Sequence, residues 1–245
     1  GTFQSKETHE GEQQRTGERV GGYVELDGAT VNMRIGTSFI SIEQAKQNLE
    51  SELGNRPFDV IRLETERLWQ EMLNRVHIED ATETQNKTFY TSLYRSVLFP
   101  RFWHEYDQDN KQIHFSPYDG QIHPGPLVTD NGFWDTHRTV YSLLSILYPE
   151  HLTTIMQGWT NARKEGGWTP KWSSPGYRAC MIGTHLDAVF ADAYVKGICD
   201  FDIESAYQAM YKNATEVGDE AGNYGRRGIE EFDELGYVPA DKIDH

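Results

Sequence analysis

Five side chains between residues 131 and 197 could do carbohydrate chemistry: Trp134, Asp135, Trp168, Trp172 and His185. Trp134 and Asp135 sit in Asn131-Gly132-Phe133-Trp134-Asp135-Thr136-His137-Arg138-Thr139. Trp168 and Trp172 sit in Gly166-Gly167-Trp168-Thr169-Pro170-Lys171-Trp172-Ser173-Ser174-Pro175-Gly176-Tyr177. His185 ends the run Cys180-Met181-Ile182-Gly183-Thr184-His185, which leads into an apolar helix. An indole offers a flat apolar face to the C–H side of a pyranose. A carboxylate accepts bonds from two neighbouring hydroxyls. Tryptophans beside a carboxylate, on glycine-rich loops at helix starts, are what a sugar pocket needs. Each residue also has an ordinary structural reading. Asp135 could be a helix N-cap or first-turn acid. The indoles could pack on a rim, and His185 could cap its helix.

The elements that must position these groups are mostly helical. Residues 1–20 are polar with mixed charge and read as a loop or flexible arm. Strands are predicted over 23–26 and 31–39, joined by a turn at Asp27-Gly28, because Val31, Met33 and Ile35 alternate with polar residues. Ser41 and Gln44 form a capping-box pair that opens a helix, and Gly54 closes it. A second helix follows Pro57, with Phe58, Ile61, Leu68, Met72 and Val76 on one face. Beyond Thr82, apolar residues at helical spacing predict helices over 89–98, 134–147, 152–162, 186–194 and 203–211. Between them, 101–132 is a long, aromatic, glycine-bearing connection, and such connections are usually functional. Periodicity alone supports a helical array with its long loops gathered around a pocket.

Composition narrows the function classes. The chain has 245 residues, of which 38 are acidic and 23 basic, for a net charge of −15. That charge argues against nucleic acid and anionic membranes as partners. No apolar run reaches the roughly 18 residues of a membrane span. Cys180 and Cys199 form no metal pattern and are expected as buried free thiols. His104, His114, His123 and His137 lack metal-ligand spacing and read as surface or loop-packing residues. The sequons at Asn86 and Asn213 fall inside predicted helices, which favours chance.

The motifs around the five residues resemble those of the calcium-dependent α-mannosidases of glycoside hydrolase family 92. The resemblance extends to Asp192-Ala193-Tyr194-Val195-Lys196-Gly197. Upstream it includes Arg34-Ile35-Gly36-Thr37-Ser38-Phe39-Ile40-Ser41 and Tyr118-Asp119-Gly120-Gln121-Ile122-His123. It covers roughly residues 20–240.

It implies a mainly α chain, the first part of an (α/α)6 toroid. The expected organisation is the end of an N-terminal β-sandwich domain with a flexible arm over 1–40, linker helices over 41–81, and the first half of the catalytic domain over 82–245. It implies an exo-acting, inverting α-mannosidase, of α-1,2 type, that acts on mannose-containing glycans with calcium as cofactor. The family's catalytic acid, its base and most calcium ligands belong to motifs absent from this chain. No catalytic residue and no metal ligand is therefore assigned here. Trp134, Asp135, Trp168, Trp172 and His185 are assigned to substrate binding. The implied partner is the remaining half of the same enzyme, and the implied location is periplasmic or secreted. Two alternatives stay open: an inverting hydrolase with its acid at Asp130 or Asp135, and a carbohydrate-binding module without catalysis.

Overall fold

The computed structural model describes residues 1–28 and 30–242; residues 243–245, the end of the expected catalytic half, lie outside the described residues. The chain divides into two units, Gly1–Ile35 and Gly36–His245.

The first unit corrects the sequence reading twice. Residues 1–20, expected as a loose arm, carry strands β1 (Thr2–Gln4) and β2 (Glu7–His9) and the start of β3 (Val20–Gly22). They form an antiparallel sheet in the order β2-β1-β3. Ser5 takes a positive φ of 55°, which reverses the chain between β1 and β2. Arg15 then ties the returning segment down, donating to Glu12 (2.7 Å) and to Gln4 (3.2 Å). Conversely, the strands expected over 23–26 and 31–39 do not form. Val24, Leu26, Met33 and Ile35 are exposed. An alternating pattern makes a strand only where a sheet face receives it, and none does here.

The second unit is mainly helical. Helix α1 (Ile42–Glu52) starts where Ser41 accepts a bond from the Gln44 amide (3.0 Å). The reciprocal half of the capping box is missing, because the Gln44 side chain reaches Asn48 and the Tyr106 carbonyl instead. Helix α2 (Phe58–Leu73) buries no residue fully; Phe58 and Leu68 of its expected apolar face stay exposed. Helix α3 (Glu83–Ser96) has a complete capping box between Thr82 and Gln85.

The connection 101–132 is folded as short strands: β4 (Arg101–Phe102), β5 (Glu105–Tyr106), β6 (Gln112–Phe115), β7 (Ile122–Pro124), β8 (Val128–Thr129) and β9 (Asn131–Gly132). β5-β6-β7 form a meander, and β4 pairs with β8. Buried His114 fastens the meander to the helical layer: its Nδ1 donates to the Gly125 carbonyl (2.8 Å) and its Nε2 lies 2.9 Å from Glu165.

Helices α4 (Phe133–Thr136), α5 (Val140–Leu147) and α6 (Pro149–Gly166) follow. Strand β10 (Trp172–Ser173) pairs with β9, and α7 (Leu186–Val195), α8 (Ile203–Thr215) and α9 (Ile229–Leu235) complete the array. The predicted single helix over 134–147 is two. At the break, Thr136 and Thr139 hydroxyls donate to the carbonyls of Gly132 (2.7 Å) and Asp135 (3.3 Å), competing with helix continuation.

The core lies under α6, where Leu152, Met156 and Trp159 meet Phe133, Tyr141, Leu186 and Phe190. Trp159 donates to the Tyr141 hydroxyl (3.0 Å), which donates to Asn131 Oδ1 (3.1 Å). The Thr136 hydroxyl, which donates to Gly132, lies 3.2 Å from the same oxygen. A buried polar chain of this kind favours one arrangement, and here it fixes the segment that precedes Trp134 and Asp135. Both cysteines are exposed free thiols, correcting the expectation of burial; each sits on a loop beside α7 and not under it.

Candidate functional site

The site is built where α4 meets the start of α7. Gly132 precedes α4 in extended conformation and supplies no side-chain cap. It is a glycine because the Trp172 indole lies directly over it: a Cβ would sit 2.1 Å from the ring. Trp172 thus packs against the base of α4 through the β9–β10 pairing. On α4, Trp134 keeps 43% of its surface exposed, with the Arg138 guanidinium 5.3 Å from the ring centroid. The Asp135 carboxylate is exposed, and among the described residues nothing bonds to it. Asp135 is therefore not the N-cap of α4; that position is Gly132.

His137 closes α4, its Nδ1 donating to the Phe133 carbonyl (2.7 Å). Its ring stacks on His185 at 4.6 Å and 12°. Burial, then the nearby His137, Arg138 and Arg226, hold the His185 imidazole below its usual pKa. A neutral ring is what a hydroxyl can use as donor or acceptor. His185 makes no capping bond to α7.

Trp168 is stacked differently. Its ring lies 5.1 Å from Tyr224 at 19°, with the Lys212 ammonium 4.3 Å from its centroid. These contacts hold Trp168 in a packed cluster with Tyr177 and Tyr224. The structure thus brings Trp134, Asp135, Trp172 and His185 around α4 and the start of α7, and sets Trp168 against the loop 217–226.

Sequence reasoning missed the buried network behind His185. Asp187 accepts from Thr184 (2.7 Å), Asn213 (2.7 Å) and Arg226 (3.0 Å). Asn213 also donates to Thr169 (2.7 Å), and Arg226 to Thr184 (2.8 Å). Burial raises the Asp187 carboxyl above its usual range, while these bonds pull it back. The network joins the Gly166–Pro170 loop, the Cys180–His185 loop and α8 into one support. Only the Thr184–Asp187 spacing at a helix start could have signalled it. In front of it, Cys180, Met181, Ile182 and Gly183 line a cavity of about 690 Å³ with Lys171, Gly222, Arg226 and Arg227. Asp130, the other carboxylate considered, is tied down by an ion pair to Arg101 and a bond from Ser174 (2.8 Å).

The helical scaffold thus presents an open tryptophan–carboxylate edge over a polar network. The model of the glycosyl hydrolase family 92 catalytic domain matches residues 44–245. The chain belongs to that family. An inverting mannosidase of the family from Bacteroides thetaiotaomicron superposes with a TM-score of 0.81 at 42% identity, over 84% of this chain and 28% of that one. A second α-mannosidase from that organism, solved with mannoimidazole, gives a TM-score of 0.72 at 30% identity, over 84% and 26%. A curated relative, an uncharacterized secreted glycosidase of Arthroderma benhamiae, is 27% identical over 88% of this chain and 24% of its own length. The chain therefore spans about a quarter of the length of these relatives.

Proposed function

We propose that this chain is the glycan-positioning part of an exo-acting, inverting α-mannosidase of α-1,2 type. The observation that carries the reading is the unpaired Asp135 carboxylate beside half-exposed Trp134, in a family member similar to α-mannosidases. Asp135 would accept two sugar hydroxyls while Trp134 meets the C–H face. Trp172 holds the base of α4, Trp168 braces the neighbouring loop, and neutral His185 exchanges a hydrogen bond with the glycan.

Inversion needs an acid for the leaving oxygen and a base for water, about 6.5–9.5 Å apart. In this reading both come from the rest of the enzyme, which completes an (α/α)6 toroid and follows an N-terminal β-sandwich. The exposed Tyr194, Val195, Tyr207 and Tyr211 on α7 and α8 offer it an apolar seat. Among the described residues no group of three or more His, Cys, Asp or Glu side chains could hold a metal ion. Calcium takes about 6–8 oxygen ligands, so this chain alone does not fit the ion, and its ligands would lie mostly elsewhere in the enzyme. Likeness to a secreted relative supports a periplasmic or secreted location. The committed positions of Asp130, between Arg101 and Ser174, count against the alternative that it is the proton donor.

The test is mannose release from an α-1,2-linked mannobiose by the full-length protein and by this chain alone, each with and without a calcium chelator. Chelator-sensitive release by the full-length protein only is expected. Release by this chain alone would mean that its acid and base lie here, and the reading would fail. Binding of mannobiose without release by the full-length protein would favour a carbohydrate-binding module.

A further inference from the structure

The cavity in front of the Asp187 network contains a cation that the sugar reading does not use. Lys171 follows Pro170 on the Trp168–Trp172 loop and retains only 6% of its surface. It lines the cavity of about 690 Å³. Among the described residues, no hydrogen bond or ion pair reaches its ammonium. The acid nearest in effect, Asp219, is committed to its own loop, accepting from the amides of Asn223 (2.7 Å) and Tyr224 (3.2 Å) and from the Asn223 side chain (2.6 Å). Burial holds the Lys171 ammonium below its usual pKa, and Arg227 adds to that.

The Lys171 stem is packed, while its ammonium, without a partner among the described residues, opens into the cavity. Two further cations share the wall. Arg226 is spent on Asp187 and Thr184, whereas Arg227 makes only a marginal 3.5 Å contact with the Glu220 carbonyl. Gly222, at φ +80°, lets that guanidinium lie close: a Cβ there would stand 3.2 Å from it. In a chain of net charge −15, three cationic side chains round one cavity concentrate positive potential locally. A guanidinium and an ammonium around one concavity are the donor set for an oxyanion.

We propose that this cavity is an oxyanion site, in which Lys171 and Arg227 bind a phosphate or carboxylate group. Lys171 supplies a point charge on a packed stem and Arg227 the exposed fork. Arg226 stays on its network and adds charge without moving. The proposal does not depend on the mannosidase reading, since it concerns charge and not sugar hydroxyls.

The experiment uses the full-length protein, with inorganic phosphate and, separately, acetate as probes. Saturable binding by calorimetry and a ligand-dependent rise in melting temperature are expected for at least one. Lys171→Met should weaken that affinity roughly tenfold or more, the worth of one charge-assisted bond. Its unliganded melting temperature should change little, because methionine keeps the packed stem and the ammonium it removes faces the cavity. Arg227→Ala, at an exposed position, should weaken binding without touching the fold, and it serves if Lys171→Met does not fold. Preference for phosphate or for acetate identifies which group the site takes. Absence of saturable binding of both probes would overturn the proposal, as would binding that both variants leave unchanged.

Discussion

Replacing Asp135 by alanine separates a sugar ligand from a structural acid, and the structure sets both magnitudes. Its carboxylate is exposed and accepts no hydrogen bond, and Gly132 occupies the cap of α4. No cap is lost, so the usual cost of about 1 kcal/mol does not apply. What remains is a surface substitution, within about 0.5 kcal/mol, or about 1–2 °C in melting temperature for a domain of this size. A carboxylate that receives sugar hydroxyls is worth about 1.5–3 kcal/mol. Asp135→Ala should then lower kcat/KM by roughly tenfold to a few hundredfold. Asp135→Asn keeps one acceptor and should recover part of the loss. The assay is mannose release by the full-length protein alongside thermal melting of the same preparations. A melting temperature lowered by more than about 4 °C with near-normal kcat/KM would refute the reasoning and make Asp135 a structural acid.

Other substitutions probe the support. Gly132→Ala places a methyl against the Trp172 ring, and with φ at −118° its cost is steric only; a loss of about 1–3 kcal/mol by denaturant melting is expected. Asn213→Ala removes the donor to both Asp187 and Thr169 and should cost about 1–3 kcal/mol in the same assay. Because Asn213 is fully buried, mass spectrometry of protein from a glycosylating host should find no glycan there. His185 and His104 both have folded pKa values held below the ordinary 6.5, burial being the first cause in each. The unfolded chain therefore takes up protons first as pH falls. Stability should be full above about pH 7.5 and decline as pH drops through 6.5, and His185→Gln should flatten part of that slope in melting curves.

What was legible depended on how far a residue's partner lies along the chain. Capping at Ser41 involves a neighbour three residues away, so the sequence showed that helix start; the equally local cap at Thr82 was there to be read, yet apolar spacing placed the helix six residues late. Pro149 and Gly167 likewise bracket α6 by purely local rules. The strands between Arg101 and Gly132 escaped because they are two to four residues long, too short for a periodic pattern, and β4 and β9 also draw their partners from distant segments. The first strands, β1 and β2, escaped because polar composition hid a sheet held by Arg15 and Glu12 instead of by an apolar face. At the site, the tryptophans and Asp135 were visible as types. Their exposure was not, since it follows from Trp159, Tyr141 and Asn131 meeting across ten to eighteen residues.

Lys171 and Asp187 stood furthest from view. Asp187 takes its bonds from Asn213 and Arg226, 26 and 39 residues onward, and reads in sequence as an ordinary first-turn acid. Lys171 looks like a solvated loop lysine until the chain 50 residues later folds over its stem and brings Arg227, while Asp219, the acid nearest in effect, is held by hydrogen bonds of its own loop. A charge pattern along the sequence cannot show which charges meet around one cavity, because that is decided only in three dimensions. That is why the oxyanion site emerges from burial and geometry, while the sugar edge could be suspected from residue types alone.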